Sequence, residues 1–165
     1  MHGFRVSVSL ILIAPLAHSA FAADSPDEAM MRPIRILAHF MESPPASHVP
    51  SVFASSDVVI IENFAPYIFA GPNTVVHWEA GFRQHFDEGK LSGLVVKFRE
   101  PLDFSRDGDR ASFTLPAVWN GKSGQQRFTE TGAWSFVLLR AGGEWRVLAY
   151  TWGVIDFHYV AEPIR

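Results

Sequence analysis

The stretch that decides the fold is "GAWSFVLLRAGGEWRVLAYTWG", residues 132–153. Two runs rich in aromatic and β-branched residues flank Gly142-Gly143, a dipeptide typical of a tight hairpin turn. A turn of two residues would set four cross-strand pairs: Arg140 with Trp145, Leu138 with Val147, Phe136 with Ala149, and Trp134 with Thr151. The sequence therefore predicts a long antiparallel hairpin near the end of the chain.

The same register divides the hairpin side chains between two faces, because successive residues of a strand point to opposite sides. One predicted face carries Trp134, Phe136, Leu138, Trp145 and Val147. The other carries Ser135, Val137, Leu139, Arg146, Leu148, Tyr150 and Trp152. Both faces are largely apolar, so we expect helices to cover one and a second subunit to cover the other.

Period-two alternation extends upstream of this hairpin and predicts four strands, at residues 91–98, 110–120, 125–140 and 144–159. The dipeptides Asp107-Gly108 and Asn120-Gly121 are further turn signals. An earlier β-branched run, residues 58–64, is interpreted as the first strand of the sheet.

Two helices are predicted before the four strands. The first has Ser25 as its N-cap and Pro26 in the first helical position, and its buried stripe consists of Met30, Ile34, Leu37 and Met41. The second, longer helix begins after Gly71 and ends at Gly89, with a stripe of Val75, Trp78, Phe82 and Phe86. This order predicts an α+β fold, a cone-shaped curved antiparallel sheet wrapped around the N-terminal helices, with a pocket at its open end.

The N-terminal residues have the order of a secretory signal peptide. Arg5 precedes the apolar run 6–16, and the small residues Ala20 and Ala22 follow it. We expect cleavage after residue 22, which leaves residues 23–165 as one domain of an exported protein, periplasmic or secreted. The apolar run is too short to span a bilayer, so no membrane association is expected after cleavage.

Composition excludes several kinds of chemistry. The chain has no cysteine, which rules out disulfides, thiolate metal ligands and a cysteine nucleophile. Its formal charge of −3 does not favour nucleic acid as a partner. The histidines of the predicted mature chain show no close ligand spacing, and neither a metal nor a cofactor is predicted.

Two stretches carry a family resemblance: "ENFAPYIFAGPNTVVHW", residues 62–78, and the terminal hairpin, residues 132–153. Together with the order of elements they resemble the NTF2-like superfamily, which includes SnoaL-like polyketide cyclases, ketosteroid isomerases and scytalone dehydratase. The resemblance covers the whole predicted mature chain and implies the cone fold, also described as a cystatin-like roll. It does not define a function, because the superfamily includes both enzymes and binding modules.

The resemblance bears on one acid. In ketosteroid isomerases the general base ends the first strand nine residues before a glycine that opens the long helix, and Glu62 likewise lies nine residues before Gly71. A carboxylate at the mouth of an apolar cone is partly desolvated, which raises its pKa and favours proton transfer near neutral pH. Glu62 is thus a candidate base, with His39 as a second catalytic candidate.

The oxyanion donors of those isomerases have no match here. Phe40, beside His39, stands where the family places a tyrosine, and residues 132–135 supply no aspartic acid. A steroid isomerase is therefore not expected.

Structural roles compete with each of these assignments. Glu62 could instead cap the long helix or pair with Arg83 or Arg99, and His39 could be a boundary residue of its helix. The aromatic residues of the strands could form core or dimer contacts. The predicted pocket residues are Asn63, Tyr67, Trp78, Trp119, Trp134, Tyr150 and Trp152.

Two functions remain open at this point. The first is a binding domain that holds a small apolar or aromatic molecule in the cone and pairs as a homodimer through the outer sheet face. The second is a small-molecule isomerase, lyase or cyclase that uses Glu62 as base, with His39, Tyr67 or Asn63 as an orienting or acid group. The first is favoured because the aromatic residues are many and no catalytic set is complete.

Overall fold

The structure is a computed structural model that describes residues 25–44 and 48–161. Its elements over these residues are α1 (Glu28–Glu42), β1 (Val59–Ile61), β2 (Ile68–Phe69), α2 (Thr74–Glu88), β3 (Leu91–Phe98), β4 (Leu102–Asp107), β5 (Arg110–Ser123), β6 (Gln126–Ala141) and β7 (Glu144–Tyr159). The strands form one sheet in the order β2-β1-β7-β6-β5-β3, and β4 also pairs with β5. The predicted α+β fold with a curved sheet is confirmed, although β1 runs parallel to β7 and makes the sheet mixed.

Helix α1 begins two residues later than predicted. Asp27, not Ser25, is the N-cap, since its carboxylate accepts a hydrogen bond of 2.9 Å from the backbone of Met30. An aspartate in this position is as good a cap as serine and also favours the positive end of the helix dipole. Pro33 is buried inside the helix, which continues beyond it to Glu42.

Helix α2 follows the predicted course and ends at the C-cap Gly89. The hydroxyl of Thr74 donates to the carbonyl of Gly71 at 2.7 Å and closes the turn that starts the helix. Trp78 and Phe82 are buried against the concave face of the sheet, as their spacing predicts. With 15 residues, α2 has the same length as α1 and is not the longer helix that was expected.

The terminal hairpin has the predicted two-residue turn, but only its first part keeps the predicted register. Leu138 lies opposite Val147, while the next residue, Val137, lies opposite Ala149. Leu148 is therefore an extra residue, a β-bulge, and the alternation of side chains is inverted beyond it. The predicted pairs Phe136 with Ala149 and Trp134 with Thr151 are wrong; the partners are Tyr150 and Trp152.

This bulge decides which face Tyr150 and Trp152 occupy. Both are buried, at 2% and 6% exposure, on the same face as Trp134 and Phe136. In the regular register that the sequence predicts, both would instead share a face with Ser135 and Val137. The concave side of the hairpin consequently gains a phenol and an indole.

Other differences from prediction are local. The dipeptide Asn120-Gly121 does not form a turn; β5 continues through it, and Gly124 takes the positive φ of the turn at 59°. Gly121 is needed for packing instead, because an added Cβ would lie 2.4 Å from the side chain of Leu94. The strand predicted over residues 58–64 is shorter, and the strands β2 and β4 were not predicted.

The cone has one filled end and one open end. At the filled end α1 packs against the hairpin near its turn, and the most deeply buried apolar residues of this part include Ile34, Leu37, Phe136, Leu138 and Val147. At the other end Met41, in the last turn of α1, belongs to the core and also lines a cavity. The apolar core therefore fills one end of the cone and leaves a cavity at the other end.

Over the part of the chain that the structure describes, neither helix is long and apolar enough to cross a membrane. The predicted signal peptide lies outside the described residues and stays a prediction.

Candidate active or binding site

The open end of the cone contains a cavity of about 240 Å³ between the two helices and the concave face of the sheet. Most of its wall is apolar and much of it is aromatic, including Phe64, Phe82, Trp119, Phe128, Trp134 and Trp152. The polar side chains in the wall are Glu62, Asn63, His85, Ser123 and Glu130. A mainly apolar pocket with a few polar groups is the usual form of a small-molecule site.

Glu62 reaches the cavity because of strand alternation. It lies two residues after Ile60, which is buried, so both side chains point to the concave side while Ile61 points outward. The Glu62 backbone N–H donates to the carbonyl of Tyr67 at 2.9 Å and fixes the loop between β1 and β2. The residue is only 5% exposed.

Two neutral donors hold the Glu62 carboxylate. Trp78 donates its indole N–H to Oε1 over 3.0 Å, and the Tyr150 hydroxyl donates to the same oxygen. These donors come from α2 and β7, so the carboxylate is fixed between a helix and the sheet. The Tyr150 bond exists only because the bulge at Leu148 turns this residue inward.

Burial raises the pKa of Glu62 from 4.5 to about 7, although the bonds from Tyr150 and Trp78 lower it. The negative charge of Glu130 raises the pKa further, and a backbone hydrogen bond from Asn63 lowers it. Near neutral pH the carboxyl group is thus close to half ionised. Burial and the charge of Glu62 raise the pKa of Tyr150, which therefore stays a protonated donor.

Glu130 is a second acid in the cavity wall. It lies on β6 opposite Phe157 of β7, and the Trp152 indole donates to its Oε1 at 2.8 Å. Burial raises the pKa of Glu130, and the bond from Trp152 lowers it. Each of the two acids is therefore oriented by an indole N–H.

His85, on α2, is the third titratable residue in the cavity wall. Its ring stacks on Phe64 with 4.8 Å between the ring centroids and 11° between the planes. Burial lowers the pKa of His85, and the nearby charge of Glu88 raises it by less. The imidazole is neutral at physiological pH as a result.

The structure distributes the predicted site residues over three places. Glu62, Asn63, Trp119, Trp134 and Trp152 line the cavity. Trp78 and Tyr150 lie behind Glu62 and hold its carboxylate. His39 and Tyr67 do not line this cavity.

His39 lies on the solvent side of α1, where its side chain is 89% exposed and 3.6 Å from Glu42. Tyr67 is 59% exposed in the loop after β1, and its backbone carbonyl rather than its hydroxyl contacts Glu62. Arg83, considered as a partner for Glu62, pairs instead with Glu79 over 2.8 Å.

Sequence reasoning missed His85 and Glu130. For His85 a signal was present: it follows Trp78 by seven residues and Phe82 by three, which is the spacing of one helix face. Glu130 carries no comparable signal, because only the register between β6 and its neighbours shows that it points inward.

Within residues 25–44 and 48–161, no group of three or more His, Cys, Asp or Glu side chains is arranged to hold a metal ion.

Comparison with known proteins shows the fold. No family model and no curated protein matches the chain. Several solved structures match it. The hexachlorocyclohexane dehydrochlorinase LinA-type3 from Novosphingobium barchaimii is similar with a TM-score of 0.66 and 10% identity, over 81% of this chain and 88% of that one.

Two further structures agree with this result. An NTF2-like superfamily protein from Salmonella enterica has a TM-score of 0.61 and 14% identity, over 75% of this chain and 87% of that one. A cystatin-like protein of unknown function from Nostoc punctiforme has a TM-score of 0.60 and 13% identity, covering 76% and 88%. The chain has the fold of the NTF2-like superfamily, as the resemblance implied.

Proposed function

We propose that the protein is an exported binding protein that holds a small, mainly apolar or aromatic molecule in the cavity at the open end of the cone. The observation that supports this most directly is the cavity itself, about 240 Å³ with largely aromatic walls. An apolar cavity of roughly 150 Å³ is enough for benzene, so a substituted ring has room here.

The surroundings of Glu62 favour binding over catalysis. Of the three predicted partners of this carboxylate, His39 and Tyr67 lie away from the cavity. Asn63 lines it, but its amide has no proton to supply as a general acid near neutral pH. The groups that do contact Glu62, Trp78 and Tyr150, are themselves buried and orient the carboxylate. The same contacts suit a polar anchor for one end of a ligand.

The proposal is tested with toluene as a generic apolar ring. Saturating toluene should raise the melting temperature of the wild-type protein, because a ligand that binds only the folded state stabilises it. The variant Leu91→Trp, which puts a large side chain into the cavity wall, should lose this increase. Val95→Trp, on the same strand but 48% exposed, should keep it. No increase in the wild type would refute the proposal.

A second function has one specific observation in its favour. Glu62 lies in the cavity wall with a pKa of about 7, which suits a general base of a small-molecule isomerase, lyase or cyclase. Turnover of enolisable ketones or hydroxy-aromatic compounds should then rise with pH through about 7 and disappear in Glu62→Gln. Glu100→Gln, at an exposed acid away from the cavity, is the matched control, and turnover that survives in Glu62→Gln would rule this function out.

Export and dimerisation belong to the same proposal. Export rests on the N-terminal sequence and is tested by sequencing the N-terminus of the protein recovered from culture, which should begin at Ala23. A homodimer is supported by the outer sheet face, where Val59 and Ile61 are 37% and 40% exposed beside the strand β7. Sedimentation should show a dimer for the wild type and a monomer for Val137→Glu.

A further inference from the structure

We propose that the cavity is selective for an organic cation, an amine or quaternary ammonium group attached to a small apolar or aromatic body. This inference rests on the proposed binding function and names the class of ligand for the same cavity. Three features of the wall support it: its charges, the donors that hold those charges, and the arrangement of its indole rings.

The first feature is the balance of charge. Among the described residues the cavity wall contains two carboxylates, Glu62 and Glu130, and no lysine or arginine. The third titratable group in the wall, His85, is neutral at physiological pH because burial lowers its pKa. An anionic ligand would therefore meet two acids without a counter-charge, whereas a cation would supply the charge that the site lacks.

The second feature is that the donors to both acids are uncharged. Trp78 and Tyr150 hold Glu62, and Trp152 holds Glu130. An indole or a phenol fixes the direction of a carboxylate without cancelling its charge. Both acids are thus positioned in advance, while the raised pKa of Glu62 shows that its ionised form is left undercompensated.

The third feature is a corner of indole rings in the same wall. The ring of Trp134 stands at 84° to that of Trp119, with 5.8 Å between centroids, and at 69° to that of Trp152, with 5.4 Å. Rings set at steep angles present π faces and edges in different directions, and indole faces attract ammonium groups more strongly than other aromatic side chains do. Aromatic walls combined with acids are the usual means of binding such cations.

Proton linkage gives the inference a second observable. A bound cation favours the ionised form of Glu62, so its binding should release a proton when Glu62 is protonated. The other titratable groups that face this carboxyl are Glu130 on β6, His85 on α2 and Tyr150 on β7. The pKa of Glu62 lies at about 7, so cation affinity should increase as pH rises through that value.

The experiment compares two probes of the same shape, phenyltrimethylammonium and tert-butylbenzene, which differ in charge. Calorimetric titration of the wild type should show that the affinity for the cation increases about tenfold from about pH 6 to about pH 8, while the affinity for the neutral probe stays constant. Benzoate, an anionic probe, should not bind at about pH 8.

Three variants separate this inference from the proposed function. Glu130→Gln and Glu62→Gln should each weaken cation binding about tenfold and leave the binding of tert-butylbenzene unchanged or tighter. Glu100→Gln, at an exposed acid between β3 and β4, should change neither.

The results that would overturn the inference are distinct from those that would overturn the binding function. If tert-butylbenzene binds and the cation does not, or if the cation binds equally well to both glutamine variants, the cation preference is refuted and the binding function stands. If neither probe binds and toluene is also without effect, both are refuted.

Discussion

Two buried glutamates on opposite sides of α2 have opposite electrostatic properties. Glu62 lies on the inner side, in the cavity wall, and Glu79 lies on the outer side, in a surface groove of about 720 Å³. Their exposures are similar, 5% and 7%. Yet the pKa of Glu62 is raised to about 7, whereas the pKa of Glu79 is lowered.

The difference lies in both depth and partners, because Glu62 is enclosed in the interior whereas Glu79 borders a surface groove. Burial raises the pKa of Glu79 too, but hydrogen bonds from Arg83, the backbone of Val49 and His48 outweigh it, and the Arg83 charge lowers the pKa further. Glu62 has only neutral side-chain donors, Tyr150 and Trp78. The comparison teaches that neutral hydrogen bonds orient a deeply buried acid without offsetting its desolvation, while a position near the surface and bonds that include a cation keep Glu79 ionised.

The largest expected effect concerns Glu62 and pH. Its folded pKa of about 7 exceeds its ordinary value of 4.5, so this group's stabilising contribution is present below about pH 4.5 and is lost as pH rises through about 7. The loss amounts to about 3 kcal/mol of unfolding free energy. In Glu62→Gln this loss should disappear, as measured by urea denaturation across that range. Parallel pH curves for the two proteins would contradict the assignment.

The next largest effect is expected for Arg83, the cation that pairs with Glu79 on the outer side of α2. Arg83→Met leaves Glu79 buried without its ion pair and should cost about 2 kcal/mol at neutral pH, a value reduced by the 30% exposure of the Arg83 side chain. Because the pKa of Glu79 is lowered, its contribution is present above its unfolded pKa and fades as pH falls. The cost should therefore shrink in acid. Arg83→Lys, which keeps the charge, should recover part of the stability.

An equal cost of Arg83→Met in acid and at neutral pH would mean that the side chain acts through packing alone. Arg83 also lies over the ring of Phe40, with its Cζ 5.5 Å from the ring centroid, so that contact would then be responsible.

A smaller effect is expected for Tyr150→Phe. The substitution removes a donor to Glu62, so the pKa of Glu62 should rise above its wild-type value and stability at about pH 8 should fall by about 1 kcal/mol. Carbon NMR of labelled glutamate measures the pKa directly. Tyr159→Phe, at a tyrosine that is 49% exposed, is the control and should leave the pKa unchanged.

The smallest effect is expected for His48→Ala. The His48 side chain is 96% exposed and its Nδ1 lies 3.4 Å from Glu79, so it adds little to what Arg83 and Val49 provide. Denaturation curves of the variant and the wild type should coincide within error at neutral pH. A loss greater than about 1 kcal/mol would show that the surface histidine, and not Arg83 alone, keeps Glu79 ionised.

Most of the fold could be predicted from the sequence because its signals are local. The turn at Gly142-Gly143, the buried stripe of α2 and the alternation of β3 each depend on neighbours within one element. The placement of Glu62 was also accessible, since alternation in β1 determines the direction of its side chain.

The rest of the site depends on register between strands. The β-bulge at Leu148 places Tyr150 and Trp152 on the face opposite to the one that regular pairing predicts. No residue type in the hairpin predicts this bulge. Glu130 likewise points inward only through its pairing. His39 was predicted as a site residue because it borders the buried stripe of α1. At this border a small rotation about the helix axis decides whether a side chain lines the cavity or faces solvent, and His39 faces solvent.

The bulge at Leu148 has a consequence for how this fold tolerates insertions and deletions. Removing Leu148 would leave Ala149 opposite Val137 and Tyr150 opposite Phe136, so Tyr150 and Trp152 would stay on the concave side. The bulge therefore lets the strand lose one residue at this point without exchanging the residues that face the interior. Loss of a second residue would exchange the two faces, bring Thr151 and Gly153 to the concave side, and alter ligand preference more abruptly than most point substitutions.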